Sequence, residues 1–258
     1  MPHSIGPKIH IYAWPERFLY LGPSTNTTPH RNHAATWLMA HEGTLKVTLS
    51  SGAILEDEVV YVPSETQFAT EESSAMIAAL YWEPESTSFQ RAAAQFDVTT
   101  PRAFVCQYTK THELTKLYDP AATLAEADAL LARIFGLPPL EGSAAAVNDS
   151  RIVEALSFLR ASPDRYDSID ALAERVHLSP SRFAHLFKQQ VGVPVRRYVL
   201  WQKMRRALDL AMAGDSLTTA ALSAGFADSA HLSRTVRAIM GVAPEFLFRY
   251  RERLVVHR

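Results

Sequence analysis

Hydrophobic positions follow two different periods along this chain. Up to about residue 85 they come in short runs rich in β-branched and aromatic residues, separated by polar breaks: KIHIYAW, RFLYLG, TWLMAH, TLKVTL, EVVYVP and AMIAALYW. Runs of this length and make-up predict strands, and SSG at 50–52 reads as a hairpin-like turn between two of them. Six short strands spaced this closely predict a small barrel or sandwich. After Trp82 the period lengthens. STSFQRAAAQF and THELTKLYDP each suit a short helix. TLAEADALLARIFG (123–136) suits a clearer one, with Leu124, Ala127, Leu131 and Ile134 on one stripe and Gly136 as its stop. The Pro, Gly and small residues of 137–148 predict a linker. From Asp149 onward every segment reads as helix.

The helical half writes one unit twice. SPSRFAHLFKQQVGVP (179–194) and DSAHLSRTVRAIMGVAP (228–244) each open on a capping residue and close on Gly-Val. Each follows a shorter helix and a tight turn, SIDALAERV then HLS in the first copy and SLTTAALSAG in the second. Pro180 suits a first helical position. Phe183, Leu186 and Phe187 form the inward stripe of the first copy, and Leu232 and Val236 take their places in the second. The opposite faces carry Ser181, Arg182, Ala184, His185, Lys188 and Gln189, and then Ser229, Ala230, Ser233, Arg234 and Arg237. Two helices joined by a short turn make a helix-turn-helix, whose second helix can lie in a DNA major groove. A long helix, Val195 to Ala213 and ended by Gly214, separates the copies. About 18 residues at 1.5 Å rise span about 27 Å. With the radii of the packed units added, the two reading helices stand near the ~34 Å of one DNA turn.

Charge sharpens this division. Residues 149–258 hold 17 Lys and Arg against 11 Asp and Glu, a net of +6, whereas 1–148 hold 9 against 16, a net of −7. A basic half joined to an acidic half implies two domains with different partners, the basic one favouring a polyanion. The single cysteine, Cys106, excludes an internal disulfide and any zinc site with several Cys ligands, and reads as a small core residue. No apolar run reaches the ~20 residues of a membrane span, and MPHSIGPKIH lacks the layout of a secretory signal. The expected localisation is cytoplasmic, with no membrane partner. No Walker or G-x-G-x-x-G pattern occurs among the 10 glycines, and no enzyme activity is expected.

The last ~105 residues resemble the DNA-binding domain of the AraC/XylS family of transcription regulators. The carrying segments are IDALAERVHLSPSRFAHLFKQQVGVPVRRYV and ALDLAMAGDSLTTAALSAGFADSAHLSRTVRAIMGVAP. The most specific signature falls on Ala221, Gly225, Phe226, Leu232, Gly241 and Pro244. The resemblance implies a transcription regulator whose base-edge contacts come from Ser181, Ala184 and His185 in the first reading helix. In the second they come from Ser229, Ala230, Ser233 and Arg234. Lys188 and Arg237 suit phosphates, which position without specifying. The chain departs from the family pattern in two places, with Lys203 where Arg is usual and Val236 where Phe is usual. Ala184 and Ala230 offer at most a contact to a thymine methyl, so His185, Arg234 and the serines would carry most of the readout.

Residues 8–82 resemble, more loosely, the cupin-like sensing barrel of the same family. The expected architecture is therefore an N-terminal all-β, cupin-like barrel (1–85) with following helices (86–136), and a C-terminal all-α domain (149–258). Two helix-turn-helix units joined by a long helix make up the latter. The resemblance implies that helix 123–136 dimerises the chain; packing onto its own barrel is the alternative use of its stripe. His30, His33 and His41 with Glu42 are candidate metal ligands, but Ala34 to Leu38 hold no carboxylate and Gln67 stands where a later histidine is expected. No metal and no cofactor are expected. The aromatic residues Tyr12, Trp14, Trp37, Tyr61, Phe68, Tyr81 and Trp82 can line a ligand pocket or simply fill a core. The candidate effector site is His30, Arg31, His33, Trp37 and Tyr61, around a mostly apolar small molecule. Double-stranded DNA, this effector and a second copy of the chain are the expected partners, with RNA polymerase admitted as a further one. Two alternatives stay open: a metal-dependent cupin enzyme with a helical appendage, and a regulator whose barrel binds a protein.

Overall fold

A computed structural model describes residues 8–73, 76–96, 104–105, 111–135, 147–245 and 251–258. Cys106 and most of the predicted linker (137–146) lie outside the described residues. The N-terminal strands are β1 (Ile9–Trp14), β2 (Arg17–Pro23), β3 (Ala35–Ala40), β4 (Leu45–Leu49), β5 (Ile54–Asp57), β6 (Val59–Val62), β7 (Phe68–Thr70), β8 (Met76–Trp82) and β9 (Phe104–Val105). All six predicted runs are strands. Gly52 turns β4 into β5 with a φ of 84°, a left-handed value that favours glycine. Between and after them lie α1 (Thr87–Phe96), a 3-10 helix (Thr111–Tyr118) and α2 (Leu124–Ile134). Thr123 caps α2 reciprocally with Glu126.

One sheet runs in the order β10-β1-β2-β8-β3-β6-β9 and a smaller one in the order β5-β4-β7. Strand β10 (Leu254–His257) corrects the sequence reading, in which everything after Asp149 was helical. It lies parallel to β1, pairing Ile9 with Leu254 through Tyr12 with His257. A four-residue apolar run does not declare its period, and the open edge of β1 is what makes this one a strand.

Side chains of β3 alternate between two cores. Trp37 and Met39 join Tyr61, Leu80 and Trp82 beneath α1 and α2. Leu38 and Ala40 join Val60, Val62 and Ala79 against Leu45, Val47 and Phe68 of the smaller sheet. The N-terminal unit is thus helices, then the large sheet, then the small sheet. Ala127, Leu130, Leu131 and Ile134 of α2 are buried in the first of these cores. The stripe of α2 is spent on this chain's own sheet, the alternative that the sequence left open; Leu124 packs only partly against that core.

The C-terminal helices are α3 (Ser150–Ala161), α4 (Ile169–Arg175), α5 (Pro180–Val191), α6 (Val195–Ala213), α7 (Leu217–Ser223) and α8 (Ser229–Met240). Ser179 caps α5 and Asp228 caps α8. Gly192 and Gly241 end them at φ 87° and 73°. The two glycines differ in surroundings. A Cβ on Gly192 meets nothing within 4 Å, but one on Gly241 meets His30 Nδ1, and Thr28 O at 2.8 Å. Gly192→Ala is expected to cost only the left-handed strain of about 1–2 kcal/mol. Gly241→Ala adds overpacking of about 1–3 kcal/mol, and thermal unfolding of the two variants checks the difference.

Candidate nucleic-acid interface and interdomain cavity

The two helix-turn-helix units are built alike to the level of single hydrogen bonds. The turn residues are both left-handed, His177 at φ 54° and Gly225 at φ 80°. Leu178 N–H donates to Ala173 O at 2.9 Å in the first, and Phe226 N–H donates to Ala221 O at 3.0 Å in the second. Lys203, where the family pattern has Arg, donates from Nζ to the Gly225 carbonyl at 3.1 Å and so braces the second turn. The 19 residues of α6 span about 28 Å between the units.

The outward faces are open to solvent. Ser181, Arg182, His185, Lys188 and Gln189 on α5 are exposed, as are Ala230, Arg234 and Arg237 on α8. Ala184, Ser229 and Ser233 are half-buried at the edges of the same faces. The inward residues Phe183, Phe187, Leu232 and Val236 are buried. Among the described residues Arg182, Lys188, Arg234 and Arg237 enter no ion pair, so their charge is uncommitted.

The two halves meet over a buried charge cluster that sequence reading missed. Glu83, just past β8, is fully buried. Its Oε1 accepts from Arg205 Nη1 at 2.7 Å and from Trp201 Nε1 and Gln202 Nε2 at 2.9 Å each. Its Oε2 accepts from Arg160 Nη2 at 3.0 Å. Burial alone would raise the Glu83 carboxyl, but Arg205 and Arg160 outweigh it and hold the group well below the ordinary carboxylate range. Glu85 is shared by Arg160 at 3.3 Å and His33 at 2.8 Å. Burial opposes charge on His33 as well, yet the Glu85 carboxylate holds it above the ordinary imidazole range. A charged glutamate pair right after an apolar strand was visible in WEPES; its partners, 52 or more residues away, were not.

Between the inner face of the large sheet and the C-terminal helices lies an apolar cavity of about 140 Å³. Phe18, Leu38 and Tyr81 line it from the sheet, Leu208 and Met212 from α6, and Val236 from α8. His30 also lines it. Its Nδ1 lies 3.0 Å from Thr28 O, its ring packs on Phe68, and burial lowers its pKa, so it enters as neutral imidazole. The other four candidate effector residues lie elsewhere. Arg31 is exposed, and His33 sits in the charge cluster. Trp37 and Tyr61 pack together on the helix-covered face of the sheet, with ring centroids 4.5 Å apart. Because a strand turns successive side chains to opposite faces, Leu38 lines the cavity and Trp37 cannot. Among the described residues no three His, Cys, Asp or Glu side chains form a group that could hold a metal, and no helix is long and apolar enough to cross a membrane.

These features define a β-rich domain joined to a domain with two helix-turn-helix units, and comparison with known proteins bears out that architecture. Residues 172–250 match the family model described as a helix-turn-helix domain. Two relatives are arabinose operon regulatory proteins. That of Salmonella typhimurium is 33% identical over 98 residues, 37% of this chain and 35% of that protein. The Escherichia coli protein is 32% identical over 99 residues, 37% of this chain and 34% of its own. The chain spans about a third of the length of these curated relatives. The whole two-domain fold is similar to ToxT from Vibrio cholerae O395, with a TM-score of 0.59 at 12% identity over 90% of this chain and 97% of that one. An unsaturated fatty acid bound form of ToxT from Vibrio cholerae gives a TM-score of 0.55 at 11% identity, over 90% and 95% of the two chains.

Proposed function

We propose that this protein is a sequence-specific DNA-binding transcription regulator whose helices α5 and α8 enter successive major grooves on one face of the duplex. The carrying observation is the repeated unit itself, with two open, cationic faces at the ends of one helix about 28 Å long. Ser181, Ala184, His185, Ser229, Ala230, Ser233 and Arg234 would read base edges, with Arg182, Lys188 and Arg237 on phosphates. Selection from random duplex DNA by the full chain is the test. The expected outcome is two half-sites about 10 base pairs apart; a single half-site or no enrichment would remove the twin grip.

DNA affinity is proposed to be controlled by a small, largely apolar effector in the interdomain cavity. A cavity near 140 Å³ lined by such groups has the scale at which engineered apolar sites take up a benzene-sized molecule. Cavity walls come from both domains, so a ligand there distinguishes the docked arrangement from any other, as an effector must. The bound fatty acid of ToxT supports this class of ligand. The departure at Val236 supports it too, since a Phe there would project into the space that Val236 lines. Calorimetry with small apolar ligands of about benzene size is expected to show binding that Val236→Phe abolishes; no heat from the wild-type chain would exclude that class. A homodimer is proposed as well, and if α2 builds it, its exposed face at Ala125, Ala129 and Arg133 must serve. RNA polymerase remains a proposed further partner.

A further inference from the structure

Strand β10, which follows the helix-turn-helix units in sequence, pairs with β1 of the N-terminal sheet. The last residues touch both domains. The His257 ring stacks on Tyr12 of β1 with centroids 4.0 Å apart and 2° between planes. His257 Nε2 lies 3.1 Å from His10 Nδ1, and the His257 ring donates a hydrogen bond to the Ala122 carbonyl just before α2. Arg258 donates to the carbonyl of Asp209 on α6 at 3.0 Å. The N-terminal and DNA-binding domains are therefore tied by a terminal strand as well as through the chain that joins them.

In the neutral ring one nitrogen donates and the other accepts. Across the 3.1 Å contact, one of His10 Nδ1 and His257 Nε2 donates and the other accepts. A proton on each of these facing nitrogens would set two N–H groups against each other. The groups around the pair offer little relief. Lys8 repels added charge on His10, and among the described residues Asp119 is the carboxylate that favours it. Tyr12 and Tyr118 present rings to it, and His41 packs on the same Tyr118. Arg258 and Asp209 engage each other instead.

We infer that β10 is a detachable clasp, which holds the DNA-binding domain against the N-terminal sheet while the facing nitrogens of His10 and His257 share one proton, and which opens when each of them carries its own. Burial lowers the pKa of both imidazoles in the docked state. A released His257 returns to the ordinary value near 6.5. Groups whose docked value is depressed stabilise docking above that ordinary value, and the contribution is lost as pH falls through the docked one. The clasp therefore opens on acidification.

Amide exchange of the full chain tests this, with rates corrected for the intrinsic effect of pH. At pH 7.5 the β1 amides (9–12) are expected to exchange slowly. At pH 5.5 they should exchange at least about tenfold faster, while the central β3 amides (35–40) stay slow at both. Ending the chain after Arg253 should give the fast β1 rate at both pH values. The double variant His10→Gln/His257→Gln should remove the response to pH. Equal β1 protection at both pH values in the wild-type chain would overturn the proposal, and that arm needs no variant. So would a truncated chain as protected at pH 7.5 as the wild type. Neither readout involves DNA or an effector, so a failure here is separable from a failure of the regulator reading.

Discussion

Replacing Glu83 with alanine is expected to cost about 3–5 kcal/mol, the usual penalty for leaving buried charges without their partner. Four donors from the C-terminal domain converge on this one carboxylate: Arg205, Arg160, Trp201 and Gln202. Removing it takes the carboxylate partner from Arg205, leaves Trp201 Nε1–H and the Gln202 amide without their acceptor, and leaves Arg160 to Glu85. Glu83 belongs to the N-terminal unit, so the loss falls on the docking of the domains more than on the fold of either. Calorimetry should show one cooperative transition in the wild-type chain and two in Glu83→Ala. Glu83→Gln keeps one acceptor oxygen but turns a donor toward an arginine, and should fall between. The pH dependence has a definite sign. The docked carboxyl sits below its ordinary value, so its contribution is complete above the ordinary value and fades as pH falls through the docked one. A single transition in Glu83→Ala at an unchanged temperature would show that the cluster does not hold the domains.

Removing Lys188 and Arg237 together should weaken DNA binding to specific and random duplexes alike. Each neutralised phosphate contributes about 0.9 to the slope of log K against log salt, so the double alanine variant should lower that slope by about 1.8. Both side chains are exposed and enter no ion pair among the described residues, so unfolding should be unaffected. Arg234→Ala should behave differently. It should cost about 1–3 kcal/mol on the selected site and relax the base preference at one position. Binding titrations across a salt series measure both quantities. An unchanged slope in the double variant would move the phosphate contacts to other cations. Equal losses for Arg234→Ala on selected and random DNA would take it out of the base-reading set.

What could be read early depends on how far apart the interacting residues are. Ser179 and Asp228 cap their helices through N–H groups three residues on. Gly192 and Gly241 close them over four residues. The stripes Phe183–Phe187 and Leu232–Val236 are spaced one helical turn apart. β5 does not declare itself because ILED is half polar and alternates only between exposed and half-buried positions, nor does β7, which is three residues long.

The candidate effector site shows the other limit. Every residue of β3 is buried, so alternation along ATWLMA cannot tell the face toward the cavity from the face toward α1 and α2. Trp37 and Leu38 exchange roles with one step along the strand. The sequence by itself determined the repeated helix-turn-helix unit, its caps, its spacer and its cationic faces, because each rests on forces between neighbours a few residues apart. Only the tertiary structure decided which face of the sheet encloses the cavity, that Glu83 meets Arg205 across 122 residues, and that the chain's last strand returns to its first, 247 residues from His10 to His257. Those outcomes depend on which distant surfaces come together, and no local period or composition encodes that pairing.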